Sequence, residues 1–91
     1  MAHIFVLDDV LDAAVLTQRI LSKKGHQVAI FTDEQEALQY AMNNQVDLAI
    51  LDINLKKTNG LNVLEELRRA DPAMRVIMLT GYPTIETARQ A

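Results

Sequence analysis

The sequence predicts an α/β domain built on a doubly wound parallel sheet. Short apolar runs rich in β-formers recur from positions 4, 27, 46 and 75. Stretches of about 10 to 15 residues with helical apolar spacing separate them, the alternation that crossover connections turn into parallel strands. Acids close the first and third runs, at the sheet edge where open α/β folds place ligands. With 91 residues, 49% of them hydrophobic, the chain can bury one core and forms one small domain over 1–91.

Each element has its own signal. Ile4-Phe5-Val6-Leu7 is a strand that ends at the pair Asp8-Asp9. Val10, Ala13, Ala14, Leu16, Thr17, Ile20 and Leu21 then recur at helical spacing, and Lys23-Lys24-Gly25 closes the pattern as a helix C-terminus does, giving a helix over about 12–24. Gln27 to Phe31 is the second strand. Thr32-Asp33-Glu34-Gln35-Glu36 follows as a helix start, with polar caps and early acids, and the second helix turns Ala37, Leu38, Ala41 and Met42 inward.

The third run, Val46-Asp47-Leu48-Ala49-Ile50-Leu51, ends at Asp52. A polar loop spans Lys56 to Asn59, and Gly60 leads into a leucine stripe, Leu61, Leu64 and Leu67, on a third helix that Asp71-Pro72 stops. Arg75 to Leu79 is the fourth strand, and Thr80-Gly81-Tyr82-Pro83 a loop. Thr84-Ile85-Glu86-Thr87 opens a fourth helix whose pattern is still running at Ala91. The fourth strand is therefore expected to keep an open edge, which invites pairing with another chain.

Composition narrows the function. The net charge is −3, and lysine and arginine cluster no further than the pairs Lys23-Lys24, Lys56-Lys57 and Arg68-Arg69, so direct nucleic-acid binding by this segment is not expected. Cysteine is absent, which is compatible with a reducing compartment. Met1-Ala2-His3 runs into a strand without a basic leader region, and no apolar stretch approaches the roughly 18 residues of a membrane span. A soluble, cytoplasmic chain is the expectation.

Asp8, Asp9 and Asp52 hold most of the chemistry. If the first and third strands lie side by side, three carboxylates meet in one crevice, and like charges in a partly desolvated site oppose one another's ionisation. A hard, oxygen-seeking divalent cation, Mg²⁺ above all, relieves that cost.

Asp8-Asp9, Asp52, Gly60 and Thr80, at three strand ends and the loop after the third, together resemble the receiver domain of two-component response regulators. The match runs the length of the chain, and Leu79-Thr80-Gly81-Tyr82-Pro83-Thr84-Ile85-Glu86-Thr87-Ala88 looks especially like regulators that drive transcription. The resemblance implies a flavodoxin-like fold with four strands and four helices, incomplete at the C-terminus because the family's fifth strand and fifth helix lie beyond Ala91. It implies that Asp52 accepts a phosphoryl group from a sensor histidine kinase or phosphotransfer protein that docks near the first helix. Mg²⁺ would be held by Asp9, Asp52 and the main-chain carbonyl of Asn54, with Asp8 reaching it through water. Thr80 would bond a phosphoryl oxygen and draw its loop inward. Asp8 can also serve as a cap for the helix that follows.

Two departures qualify the likeness. Lys56 stands where the family often has proline, and the lysine that the family carries at the end of its fifth strand has no counterpart here. His3, His26 and Tyr82 receive no role. A switch module, not an enzyme, is thus expected, with self-association through a homodimer or exchanged elements as a secondary expectation. An interaction module that cannot be phosphorylated is the alternative. An aspartyl-phosphate hydrolase is less favoured, since Asp52-Ile53-Asn54 lacks the second aspartate that such enzymes use.

Overall fold

A computed structural model describes residues 1–52, 55 and 60–79. The elements are β1 (His3–Leu7), α1 (Leu11–Lys23), β2 (Gln27–Phe31), α2 (Glu34–Asn43), β3 (Leu48–Asp52), α3 (Gly60–Ala70) and β4 (Arg75–Leu79). The helix expected from Thr84 lies outside the described residues.

The strands form one sheet of order β2-β1-β3-β4, and every pairing is parallel. Strand alternation sorts the core into two layers. Phe5, Leu7, Ala49 and Leu51 face Ala37 of α2 and Val63 and Leu67 of α3, with Met74, Val46 and Leu55 filling the margins. Ile4, Val6 and Ile50 point the other way, onto Ala14 of α1. Helices thus lie on both faces, as a doubly wound sheet requires. On the two-helix side Phe31 meets Phe5 edge to face at 6.1 Å and Tyr40 at 5.1 Å, tying β2 and α2 to that layer.

Local chemistry sets the helix ends. Gly25, at φ +87°, is the residue just past the α1 C-cap. Its N–H donates to the Ser22 carbonyl at 3.0 Å, and the His26 N–H reaches the Leu21 carbonyl at 3.3 Å, the two bonds of a Schellman motif. Asp33 caps α2, its carboxylate accepting from the Glu36 N–H at 3.1 Å.

Burial departs from the sequence expectation at particular positions. Met42, one residue from the end of α2, stands at 75% exposure. On α3 the inward row is Gly60, Val63 and Leu67, while Leu61 and Leu64 flank it half-buried, so the stripe is rotated from the one the leucines mark. Val46 is buried but precedes β3, which begins at Leu48. Leu16 and Ile20 of α1 are exposed at 59% and 54%; only Ala14 on that helix is fully buried.

Candidate functional site

The site starts from the β1–β3 register. Leu7 stands opposite Leu51, both at 0% exposure, so the next residues, Asp8 and Asp52, leave two neighbouring strands at the same height. Parallel neighbours lie about 4.8 Å apart, and the two carboxylates therefore share the C-terminal edge of the sheet. Here the chain also changes direction across the sheet, having placed β2 on one side of β1 and β3 on the other, which opens the crevice of such folds.

Asp8 is held by two bonds. Its N–H donates to the Phe31 carbonyl at 3.0 Å, carrying the β1–β2 ladder one step past Leu7. Its Oδ1 accepts from the Val10 N–H at 2.9 Å, an Asx turn that feeds the chain into α1. The N-cap of α1 is Val10, which offers no side-chain acceptor, so Asp8 caps that residue's N–H and not the first turn. The other carboxylate oxygen of Asp8 stays available to water or a ligand. Asp9 follows, half-buried and carrying a polar interaction of its own, as Asp52 does.

Asp52 lies between β1 and β4. Its register partner on β4 is Leu79, the residue before Thr80. Leu55, 9% exposed, belongs to the two-helix core, and Gly60, buried, begins α3. Of the residues singled out in the sequence, Asp8, Asp9 and Asp52 are brought to one edge. Asn54 and Thr80 lie outside the described residues, as do Lys56 and Tyr82.

The donor chemistry at this edge fits a hard divalent cation, since carboxylate oxygens predominate and the chain has no thiol. Among the described residues no three His, Cys, Asp or Glu side chains gather into one cluster. Asp8, Asp9 and Asp52 therefore share the edge without gathering into a metal-holding cluster of their own, in contrast to the expectation that three carboxylates meet in one crevice.

Sequence reading assigned nothing to the opposite edge, where the structure places a polar network. His3 Nε2 bonds the Tyr40 hydroxyl, the His3 N–H donates to Asp47 Oδ2 at 2.8 Å, and the Ala2 N–H donates to His26 Nδ1 at 3.0 Å. These groups tie the N-terminal ends of β1, β2 and β3 together. Contacts between residues 24 to 44 positions apart leave no local sequence signal.

A parallel sheet of this order, acids at the β1–β3 crevice and helices on both faces define a flavodoxin-like fold of the receiver class. The family described as response regulator receiver domain matches residues 4–91. The chain is 30% identical over 88 residues to the transcriptional regulatory protein ZraR of Escherichia coli K12, covering 97% of this chain and 20% of that protein. A CheY-like receiver from Methanospirillum hungatei superposes with a TM-score of 0.91 at 31% identity, over 99% of this chain and 72% of that one. TrrA of Thermotoga maritima, solved with Mg²⁺-BeF, gives 0.87 at 29%, over 100% of this chain and 82% of TrrA. TrrA has also been solved in complex with the histidine kinase ThkA. The chain belongs to the response regulator receiver family of two-component systems and spans about a fifth of the length of the curated relatives first matched. Among the described residues no helix is long and apolar enough to cross a membrane.

Proposed function

We propose that this chain is a cytoplasmic phosphoryl-accepting switch in which Asp52 is the acceptor. The observation that carries the reading is the matched register of Leu7 and Leu51, which sets Asp8 and Asp52 side by side at the crevice of a receiver fold. An Asp52 carboxylate oxygen attacks phosphorus in line; a P–O bond forms as the P–N bond to a donor phosphohistidine breaks. The electron pair stays on the imidazole nitrogen, which takes up a proton, and the product is an acyl phosphate.

Asp9, Asp52 and the main-chain oxygen of Asn54 would hold Mg²⁺, with Asp8 acting through water. When bound, the ion offsets negative charge on the phosphoryl oxygens. Thr80, which follows the register partner of Asp52, is assigned the hydroxyl that bonds a phosphoryl oxygen. The donor is a sensor histidine kinase docking near α1, a reading that TrrA in complex with ThkA supports. The output is transcriptional, as the name of ZraR suggests. No turnover of a separate substrate is assigned to the chain.

The test is intact mass after incubation with Mg²⁺ and acetyl phosphate, beside Asp52→Asn. A gain of one phosphoryl group by the wild type alone is expected. No gain by a chain shown to be folded sinks the reading and leaves an interaction module with the same fold.

A further inference from the structure

Strand β2 is the outer strand on the side of the sheet away from β4. Its two ends show which of its backbone groups face inward. The Gln27 N–H donates to the Ala2 carbonyl at 2.9 Å, and the Phe31 carbonyl accepts from the Asp8 N–H at 3.0 Å. Unbroken register from Gln27 to Phe31 joins β2 to β1, so backbone alternation gives Gln27, Ala29 and Phe31 to that ladder and turns the N–H and C=O of Val28 and Ile30 toward the open side. An edge of this kind is a template for a further strand. The usual deterrents are missing from β2 itself: its sequence, QVAIF, holds no charged residue and no proline, and the unbroken register leaves no bulge.

One side chain of α1 meets this edge. Gln18, half-buried and about 40° round the helix from the buried Ala14, donates from Nε2 to the Val28 carbonyl at 3.0 Å. Its amide offers the same N–H that the backbone of a neighbouring strand would offer, and here it comes from within the chain. We propose that Gln18 closes the β2 edge, holding the Val28 carbonyl so that an incoming strand sets its register there only by displacing the amide. The side chains of Val28 and Ile30 pack toward Ala14 of α1, which keeps β2 beneath the helix and that carbonyl within reach. Donor and acceptor are ten residues apart, so α1 and β2 form the closure between themselves.

The closure acts on association through the bonds that a second strand can make. Within β2 the outward groups are the N–H and C=O of Val28 and Ile30, and Gln18 withdraws one of these from each copy in a β2–β2 pair.

Methionine and lysine both match glutamine in reach and suit a helix, but only lysine carries a donor. Gln18→Met should therefore open the edge and Gln18→Lys keep it closed, while Gln18→Ala, which removes the donor without adding bulk, should behave as Gln18→Met. Circular dichroism checks that each variant is folded, sedimentation measures association, and amide hydrogen exchange at Val28 and Ile30 locates it. In the wild type and Gln18→Lys both amides should exchange at rates independent of protein concentration. The methionine and alanine variants should associate at concentrations about tenfold lower or more, since each copy frees an acceptor, and protection of the two amides should rise with concentration. Donor-free variants that associate no more than the wild type would overturn the proposal, as would association that protects β4 amides and leaves Val28 and Ile30 unchanged. So would a lysine variant that behaves as the methionine one, or a wild type whose Val28 and Ile30 amides already gain protection with concentration.

Discussion

Leu51, the last residue but one of β3, and Leu79, the last of β4, lie one register row apart, yet Leu51 is 0% exposed and Leu79 45%. Truncating each to alanine removes the same atoms from opposite environments. Leu51→Ala takes a side chain out of the layer that holds Phe5, Leu7, Val63 and Leu67. The transfer and cavity terms together cost about 2 to 5 kcal/mol. Leu79→Ala forfeits only part of a transfer term, about 1 kcal/mol or less. For 91 residues the unfolding entropy is about 0.2 kcal/mol per kelvin, so about 3 kcal/mol lowers Tm by about 15 °C and the Leu79 change by under about 5 °C. Circular dichroism melts and urea titrations measure both. Equal losses would refute the burial assignment. A larger loss at Leu79 would mean that β4 is paired one residue out of register, which exchanges the faces of all its side chains.

The remaining predictions are local. Gly25→Ala should cost about 1 to 2 kcal/mol through the left-handed backbone at φ +87°, since a Cβ there meets no atom within 4 Å, and Gly25→Asn should recover part of it. Full retention of stability by the alanine variant in urea titration would mean that the turn relaxes without strain. Asp8→Asn keeps an oxygen to accept from the Val10 N–H but loses the charge. Its stability should stay within about 0.5 kcal/mol of the wild type while Mg²⁺ affinity, read by calorimetry, falls about tenfold or more. Unchanged affinity would leave Asp8 with the turn alone.

The fold was legible because each strand and helix of the described chain carries a local signal. Ile4 to Leu7 and Leu48 to Leu51 are continuous apolar runs, as strands buried on both faces must be, and Gly25 and Asp33 mark helix ends with chemistry that acts over three or four residues. Periodicity reads a helix's apolar arc but not what covers it. Leu16, Ile20 and Met42 fit inward patterns, yet Leu16 and Ile20 lie about 200° and 240° round α1 from the buried Ala14 and stand exposed, as does Met42 in the last turn of α2. On α3 the leucines drew the stripe toward Leu61 and Leu64, while the deepest row is Gly60, Val63 and Leu67, of which the leucine count marks only the last.

The acids of the site were legible for a different reason. A carboxylate directly after a buried run can only emerge at the strand end, so Asp8 and Asp52 declare their edge without any tertiary information. Their adjacency was not written locally; it depends on the chain crossing from β2 past β1 so that β3 pairs on the other side of β1, a choice made by the whole sheet. That choice is enforced by Leu7 and Leu51, the fully buried pair one residue below the acids. Asp8 and Asp52 are half-buried at that edge, and the apolar row beneath them holds their two strands in register. The core and the site are therefore one construction. Loosening Leu51 acts on the spacing of the carboxylates as well as on stability, whereas Leu79, open to solvent on the far side of Asp52, can change without moving either acid.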